Sequence, residues 1–344
     1  MPRGDSSASG SLRLRALAAA LPAQVREGFR AGLELAPPAA ERATTIFAVG
    51  MGGSAIPVDL ARGIVEAETQ IALVPVRSPD LPRAVERRSR VLFISYSGET
   101  AETLRAYDHA SRSGASRIVV ASGGTLADRA ERDGVPLLAL PPGIPPRCAA
   151  GQVLGGILGL LDPWFPESNE GRMQRATGRL EATIPRMPAA AASIGRRIGT
   201  GFPSIYAESR FGGVARRWKT QIEENAKQLA AFDEVPELLH NAIVGWDAMP
   251  RAAARRCSVV LLQWEGALPL TRRNFAYLER LLGHRGARVI PVTLAGEDPI
   301  DAVLHGLALG DYVSLSLADQ RRVDPYPIDA ITRLKAALAS RPSS

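Results

Sequence analysis

Two short turns in this sequence carry more glycine and hydroxyl than a plain connection needs. "IFAVGMGGSAI" (46–56) leaves an apolar run through Gly50, Gly52, Gly53 and Ser54 and enters a helical stretch. "VLFISYSGET" (91–100) does the same through Ser95, Ser97, Gly98 and Thr100. Glycines let backbone amides approach an anion, and a helix N-terminus favours negative charge. Gly53, Ser54, Ser95, Ser97 and Thr100 therefore describe a neutral, donor-rich cup for one terminal phosphate. Two other readings compete with it. Gly50, Gly52 and Ala55 also satisfy the spacing of a dinucleotide fingerprint. After the next strand, however, "IALVPVRSPDLP" offers Arg77 where a ribose would want an acid, with Asp80 further on, which weakens the nicotinamide reading while a cofactor carrying a 2′-phosphate stays open. Thr100 and Thr103 are also ordinary helix-capping residues. Two such turns at the carboxyl ends of neighbouring strands, where open α/β sheets bind ligands, favour the phosphate.

The elements that must hold these turns are visible as apolar runs. "IFAVG" (46–50), "IALVPV" (71–76), "VLFIS" (91–95), "IVVAS" (118–122) and "VPLLAL" (135–140) alternate with helical stretches, the pattern of a buried parallel sheet with helices on both faces. Residues 11–36 read as helical, followed by a loop at 37–45. After "DPWFPESNEGR" a sparser series follows: strands at 203–209, 258–264 and 288–294, a long helix from Ala215 to about Ala231, another through "AVLHGLALGDYVSLSLADQ", and a terminal helix "IDAITRLKAALAS". The expectation is α/β, two doubly wound flavodoxin-like domains, with an N-terminal helical arm over 1–40, a first domain over 41–162 and a second over 163–344.

Composition narrows the class. The N-terminal "MPRGDSSASG" lacks an apolar stretch, and the longest apolar run, "VLGGILGLL", is far below the roughly 18 residues of a membrane span. Cys148 and Cys257 give no metal spacing and no disulfide framework, so a cytoplasmic protein without metal or cofactor is expected. The net charge of +7 is scattered rather than striped, which argues against nucleic acid and suits small anionic substrates. Of 42 basic residues only Lys219, Lys227 and Lys335 are lysine. An ammonium can shift its pKa and transfer a proton where a guanidinium cannot, so at least one of these positions is expected to need that property.

The two turns resemble the phosphate-binding turns of sugar isomerase (SIS) domains. Residues 217–246, "RWKTQIEENAKQLAAFDEVPELLHNAIVGW", with the closing "DPYPIDAITRLK", resemble the bifunctional phosphoglucose/phosphomannose isomerases, and the likeness covers nearly everything from about residue 40. All three lysines fall inside these two stretches. The resemblance implies an aldose–ketose isomerisation of hexose 6-phosphates through an enediol. It implies Glu224 as the group that moves the proton between C1 and C2, with Glu223 as the alternative if the register slips. The two lie about 100° apart on a helix and cannot serve one pocket equally. It further implies His240 in ring opening, contributed across a homodimer interface, Arg147 facing the enediolate oxygen, and Lys335 joining ring opening from the terminal helix. His109, His284 and His305 match no such motif. Tyr326 stands in "DPYPID" where the family commonly has a threonine, a region associated with room for both glucose and mannose epimers. The competing class is a non-catalytic sugar-phosphate sensor, which needs only the cup. An amidotransferase-like enzyme would need an N-terminal cysteine nucleophile domain.

Overall fold

The computed structural model describes residues 4–37 and 43–339; most of the loop expected at 37–45 lies outside them. Two parallel sheets organise the chain. The first contains β1 (Thr45–Gly50), β2 (Ala72–Val76), β3 (Arg90–Ile94), β4 (Ser116–Ala121) and β5 (Leu137–Ala139), in spatial order β2-β1-β3-β4-β5. The second contains β6 (Phe202–Glu208), β7 (Ala231–Val235), β8 (Cys257–Trp264) and β9 (Arg288–Leu294), in order β7-β6-β8-β9. Every pairing is parallel, and the second sheet repeats the winding of the first four strands. This is the α/β class read from the sequence.

Alternation along the strands decides which helices each face receives. Ile46, Ala48, Leu92, Ile94, Ile205, Ala207, Val260 and Leu262 point into one large core shared by both sheets, lined by helices α2 (Leu21–Glu34), α3 (Ile56–Glu68), α6 (Ala150–Leu161), α9 (Gly212–Ala226) and α13 (Pro299–Arg321). Phe47, Val49, Val91 and Phe93 face outward against α4 (Ala101–Ser113) and α5 (Gly124–Arg132). Val259 and Leu261 face α10 (Ala242–Ala248) and α12 (Pro269–Arg285) in the same way. Helix α13 is long and apolar enough by composition to cross a membrane, but it is buried among α7 (Glu170–Thr183), α8 (Met187–Ile198) and α9, which accounts for its apolar character.

Three local readings differ from the sequence expectation. The N-terminal helical stretch is two helices, α1 (Gly4–Ala19) and α2, separated at Ala20, with proline in the first turn of α2 where a missing amide costs nothing. Helix α9 ends at Ala226 rather than near Ala231, because Lys227 turns into the left-handed region at φ 54°. The released residues form β7, "AFDEV", a strand the sequence reading omitted. It is an edge strand, so its acidic side chains need not be buried.

Helices α2 and α6 pack backbone against backbone. A Cβ at Gly28 would lie 2.2 Å from the Gln152 carbonyl oxygen, and one at Gly159 would lie 2.1 Å from that of Phe29. Alanine normally stabilises a helix interior by about 1 kcal/mol over glycine. Here overpacking should outweigh that gain: Gly159→Ala is expected to lower stability by about 1–3 kcal/mol in urea unfolding. Gly178→Ala on α7, where nothing lies within 4 Å of the new Cβ, should instead raise it.

Candidate active site

Strands β1 and β3 are neighbours at the point where the first sheet reverses its winding, so their following turns open a crevice at the carboxyl edge. The β1 turn is a single 3-10 turn, Gly52–Ser54. In the β3 turn Gly98 adopts φ +70°, and any side chain there would strike the Gly123 carbonyl at 2.0 Å. The two turns are bonded together, since the Tyr96 amide donates to Ser54 Oγ at 3.2 Å. Ser95 is buried, with its hydroxyl 2.9 Å from that of Thr100. Ser97 Oγ accepts from the Glu99 amide. Thr100 begins α4 without a side-chain cap bond, and the buried Thr103 hydroxyl makes no hydrogen bond among the described residues. Neither threonine therefore acts as an ordinary cap, and the amides of the first α4 turn keep their capacity for an anion. The one carboxylate in the turn, Glu99, is directed away: it accepts from the Thr125 amide at 2.7 Å and its hydroxyl, at the start of α5.

Beside this cup lies Arg147, in the 3-10 turn Pro146–Cys148. A Cβ on Gly53 would stand only 3.2 Å from Arg147 Cα, so glycine eases the close approach of the β1 turn and this residue. Arg147 is 3% exposed. Its Nε donates to Asn225 Oδ1 at 3.1 Å, and its Nη2 donates to the carbonyls of Pro325 and Tyr326 at 3.1 and 2.8 Å. Its Nη1 stands 3.8 Å from Glu224 Oε2, while Glu224 remains 24% exposed. Of the two adjacent glutamates on α9, Glu224 thus faces Arg147. Glu223 is paired with Lys219 at 2.7 Å.

The cup, Arg147 and Glu224 are brought together; His240 and Lys335 are not. His240 lies exposed at the end of the 3-10 turn Glu237–His240 that follows β7. Lys335 lies exposed on α14 (Asp329–Ala339). Among the described residues neither forms a hydrogen bond or ion pair with Glu224 or Arg147. Tyr326 turns its carbonyl to Arg147, while its ring lies under the Arg13 guanidinium of α1, 5.1 Å from the ring centre.

Several residues that sequence reasoning passed over hold this arrangement. Tyr96 donates its hydroxyl to the Pro141 carbonyl and accepts from the Ile144 amide, tying the cup to the proline-rich loop that carries Arg147. Arg13 donates to the Gly143 carbonyl in that loop. Asn225 fixes Arg147 through one amide atom and donates to Ser314 through the other. The thiol of Cys148, beside Arg147, is pushed up to about 11 by burial and so is no thiolate nucleophile.

Residues 189–338 match the model of the bacterial phospho-glucose isomerase C-terminal SIS domain. A bifunctional phosphoglucose/phosphomannose isomerase of Caldicellulosiruptor bescii is 31% identical over 329 residues, covering 93% of this chain and 97% of that protein. One from Aquifex aeolicus is 31% identical over 293 residues, covering 84% and 88%. Among solved structures, the C-terminal domain of glucosamine-fructose-6-phosphate aminotransferase from Francisella tularensis superposes with a TM-score of 0.69 over 90% of this chain and 96% of that one, at 15% identity, a likeness of fold. At 31% identity over nearly the whole of both chains, the chain belongs to the bifunctional phosphoglucose/phosphomannose isomerase family.

Proposed function

We propose that the protein interconverts glucose 6-phosphate and mannose 6-phosphate with fructose 6-phosphate through an enediol. The observation that carries this reading is the convergence of Gly53, Arg147 and Glu224, because a phosphate sensor needs only the cup. The substrate phosphate sits on Ser54, Ser95, Ser97, Thr100 and the amides around Gly53. Glu224 takes the proton from C2 of the open-chain aldose and returns it to C1 of the enediol. Arg147 Nη1, on the side of its guanidinium that bears toward Glu224, meets the oxygen on which negative charge develops. The carboxylate is restored at the end of each cycle, and the remaining proton passes from the C2 hydroxyl to the C1 oxygen, so that the enediol closes to the ketose.

Ring opening is assigned to His240 of a second copy in a homodimer and to Lys335. The exposure of His240 on the protomer supports its use by a partner subunit. Activity on both epimers is favoured by the packing of Tyr326, whose ring lies under the Arg13 guanidinium of α1. The two repeats are taken as 41–162 and 163–344, and the enzyme as cytoplasmic.

Supplied with fructose 6-phosphate, the protein should yield both glucose 6-phosphate and mannose 6-phosphate in separate coupled assays. Binding of fructose 6-phosphate without either product would overturn the reading in favour of a sensor. Glu224→Gln should keep substrate binding and lower kcat by roughly 10²–10⁴-fold, the range for loss of a general base; a wild-type kcat would remove Glu224 from this role. Glu224→Gln and His240→Asn chains, each inactive alone, should regain activity when co-expressed, since a mixed dimer holds one intact site. Absence of any regain would show that the site is not shared between subunits.

A further inference from the structure

Lys227 belongs neither to the cup nor to the proton-transfer pair, yet it is one of only three lysines in a chain of 42 basic residues. It stands at the C-terminal cap of α9 with φ 54° and ψ 39°, a left-handed conformation for which glycine is the default. The chain accepts that backbone strain in order to keep a side chain here, and the side chain has two partners. Its Nζ donates to the Glu224 carbonyl at 2.5 Å and to the Pro327 carbonyl, 100 residues on, at 2.6 Å.

The first bond resembles ordinary capping of a helix end, and the second does not. Arg321 already serves the neighbouring carbonyls of Ala226 and Lys227, at 2.9 and 3.4 Å, so the α9 terminus has a cap of its own. Pro327 follows the two residues whose carbonyls accept from Arg147, and it leads directly into α14. Residues 331–337 of that helix are exposed, Ile331 and Leu334 among them, so side-chain packing does not fix its direction. The turn at 325–327 that precedes it is held by two cations, Arg147 at the Pro325 and Tyr326 carbonyls and Lys227 at that of Pro327. Lys227 keeps much of its own surface in solvent, while partial burial and the Arg147 charge lower its pKa.

We propose that Lys227 is a positioning residue: its ammonium clamps the turn before α14 to the Glu224 end of α9 and thereby sets the helix that carries Lys335 relative to the site. The proposal rests on the isomerase reading for its effect on catalysis but not for its effect on α14. A compact ammonium suits the task, since it spans two carbonyls without the planar fork of arginine.

The test compares Lys227→Gly, Lys227→Met and Lys227→Arg in the full chain by kinetics on fructose 6-phosphate, thermal unfolding and hydrogen exchange over residues 328–339. Lys227→Gly should hold or raise the Tm, because glycine relaxes the left-handed backbone. Its kcat should nevertheless fall by roughly tenfold to 10²-fold, the scale of a small misplacement of reacting groups, and exchange in α14 should accelerate. Lys227→Met should match it in activity and exchange, and Lys227→Arg should recover part of both. Wild-type kcat and wild-type exchange in the glycine and methionine variants would overturn the proposal. So would a loss of activity in both that follows an equal loss of Tm, which a simple cap would give. If the unaltered protein itself fails to turn over hexose phosphates, the isomerase reading fails, and exchange in α14 still decides the clamp.

Discussion

The structure depends on one buried cation. Removing a guanidinium from water costs several kcal/mol, and the cost is offset only where geometry satisfies its donors. Arg147 is satisfied by acceptors from segments that are remote in sequence: Asn225 on α9, and the carbonyls of Pro325 and Tyr326 beyond α13. Most of these acceptors are neutral, and the nearest carboxylate oxygen, on Glu224, is 3.8 Å away. The charge is therefore held in place without being neutralised at contact distance. Its supports extend outward, through Tyr96 and Arg13 to the loop before it and through Asn225 to Ser314 on α13. The first sheet, the second-half helices and α1 are thus all tied to the position of one side chain.

The two halves share a winding order but not a chemistry. Where β1 runs into glycines, β6 runs into Glu208, Ser209 and Arg210, and burial raises the Glu208 pKa. A carboxylate at that edge does not favour an anion, so the cup proposed for phosphate belongs to the first sheet alone. The second half contributes α9 instead. Helices α3 and α9, each following the first strand of its sheet, pack closely enough that a Cβ at Gly213 would lie 2.6 Å from the Asp59 carbonyl carbon, and one at Gly63 would lie 1.9 Å from the oxygen of Arg210 in the turn before α9. Asp59 is also paired with Arg77 and with Arg216 across this contact. Glycine here is a spacing device: it lets the helix that bears Glu224 approach the half that carries the hydroxyl-rich cup.

Much of this was legible in the sequence, and the remainder was hidden for definable reasons. Eight of the nine strands are apolar runs that periodicity detects, and the two hydroxyl-rich turns announce themselves by composition. The ninth, β7, carries Asp233 and Glu234 on a sheet edge, where polar residues are tolerated and the apolar signal fades. The end of α9 was misread because lysine is a good helix former, and its left-handed turn is set by Glu224 and by Pro327, far along the chain. Asn225 and Tyr96 escaped notice for a similar reason. Both are common residue types whose importance comes from partners 78 and 45 residues away. The resemblance supplied Glu224 and Arg147, which the fold brings together. It also supplied His240 and Lys335, which are exposed on the single chain.

The division between a neutral cup and the buried Arg147 has an energetic consequence on the proposed reading. Neither turn of the cup, "GMGGSA" or "SYSGET", contains arginine or lysine, so a bound phosphate is met by amides and hydroxyls. Those contacts are the same in the aldose, the enediol and the ketose, and such uniform binding lowers KM without lowering the barrier. In the proposed mechanism Arg147 differs, because its interaction strengthens only as charge builds on the sugar oxygen. Had the phosphate been bound by Arg147, much of that charge would have been used in the ground state. Holding the guanidinium with backbone carbonyls and an amide, beside the phosphate turn but not within it, reserves its field for the step in which charge appears. On the proposed reading, the contact between Gly53 and Arg147 sets the distance between a binding site that does not discriminate and a charge that does.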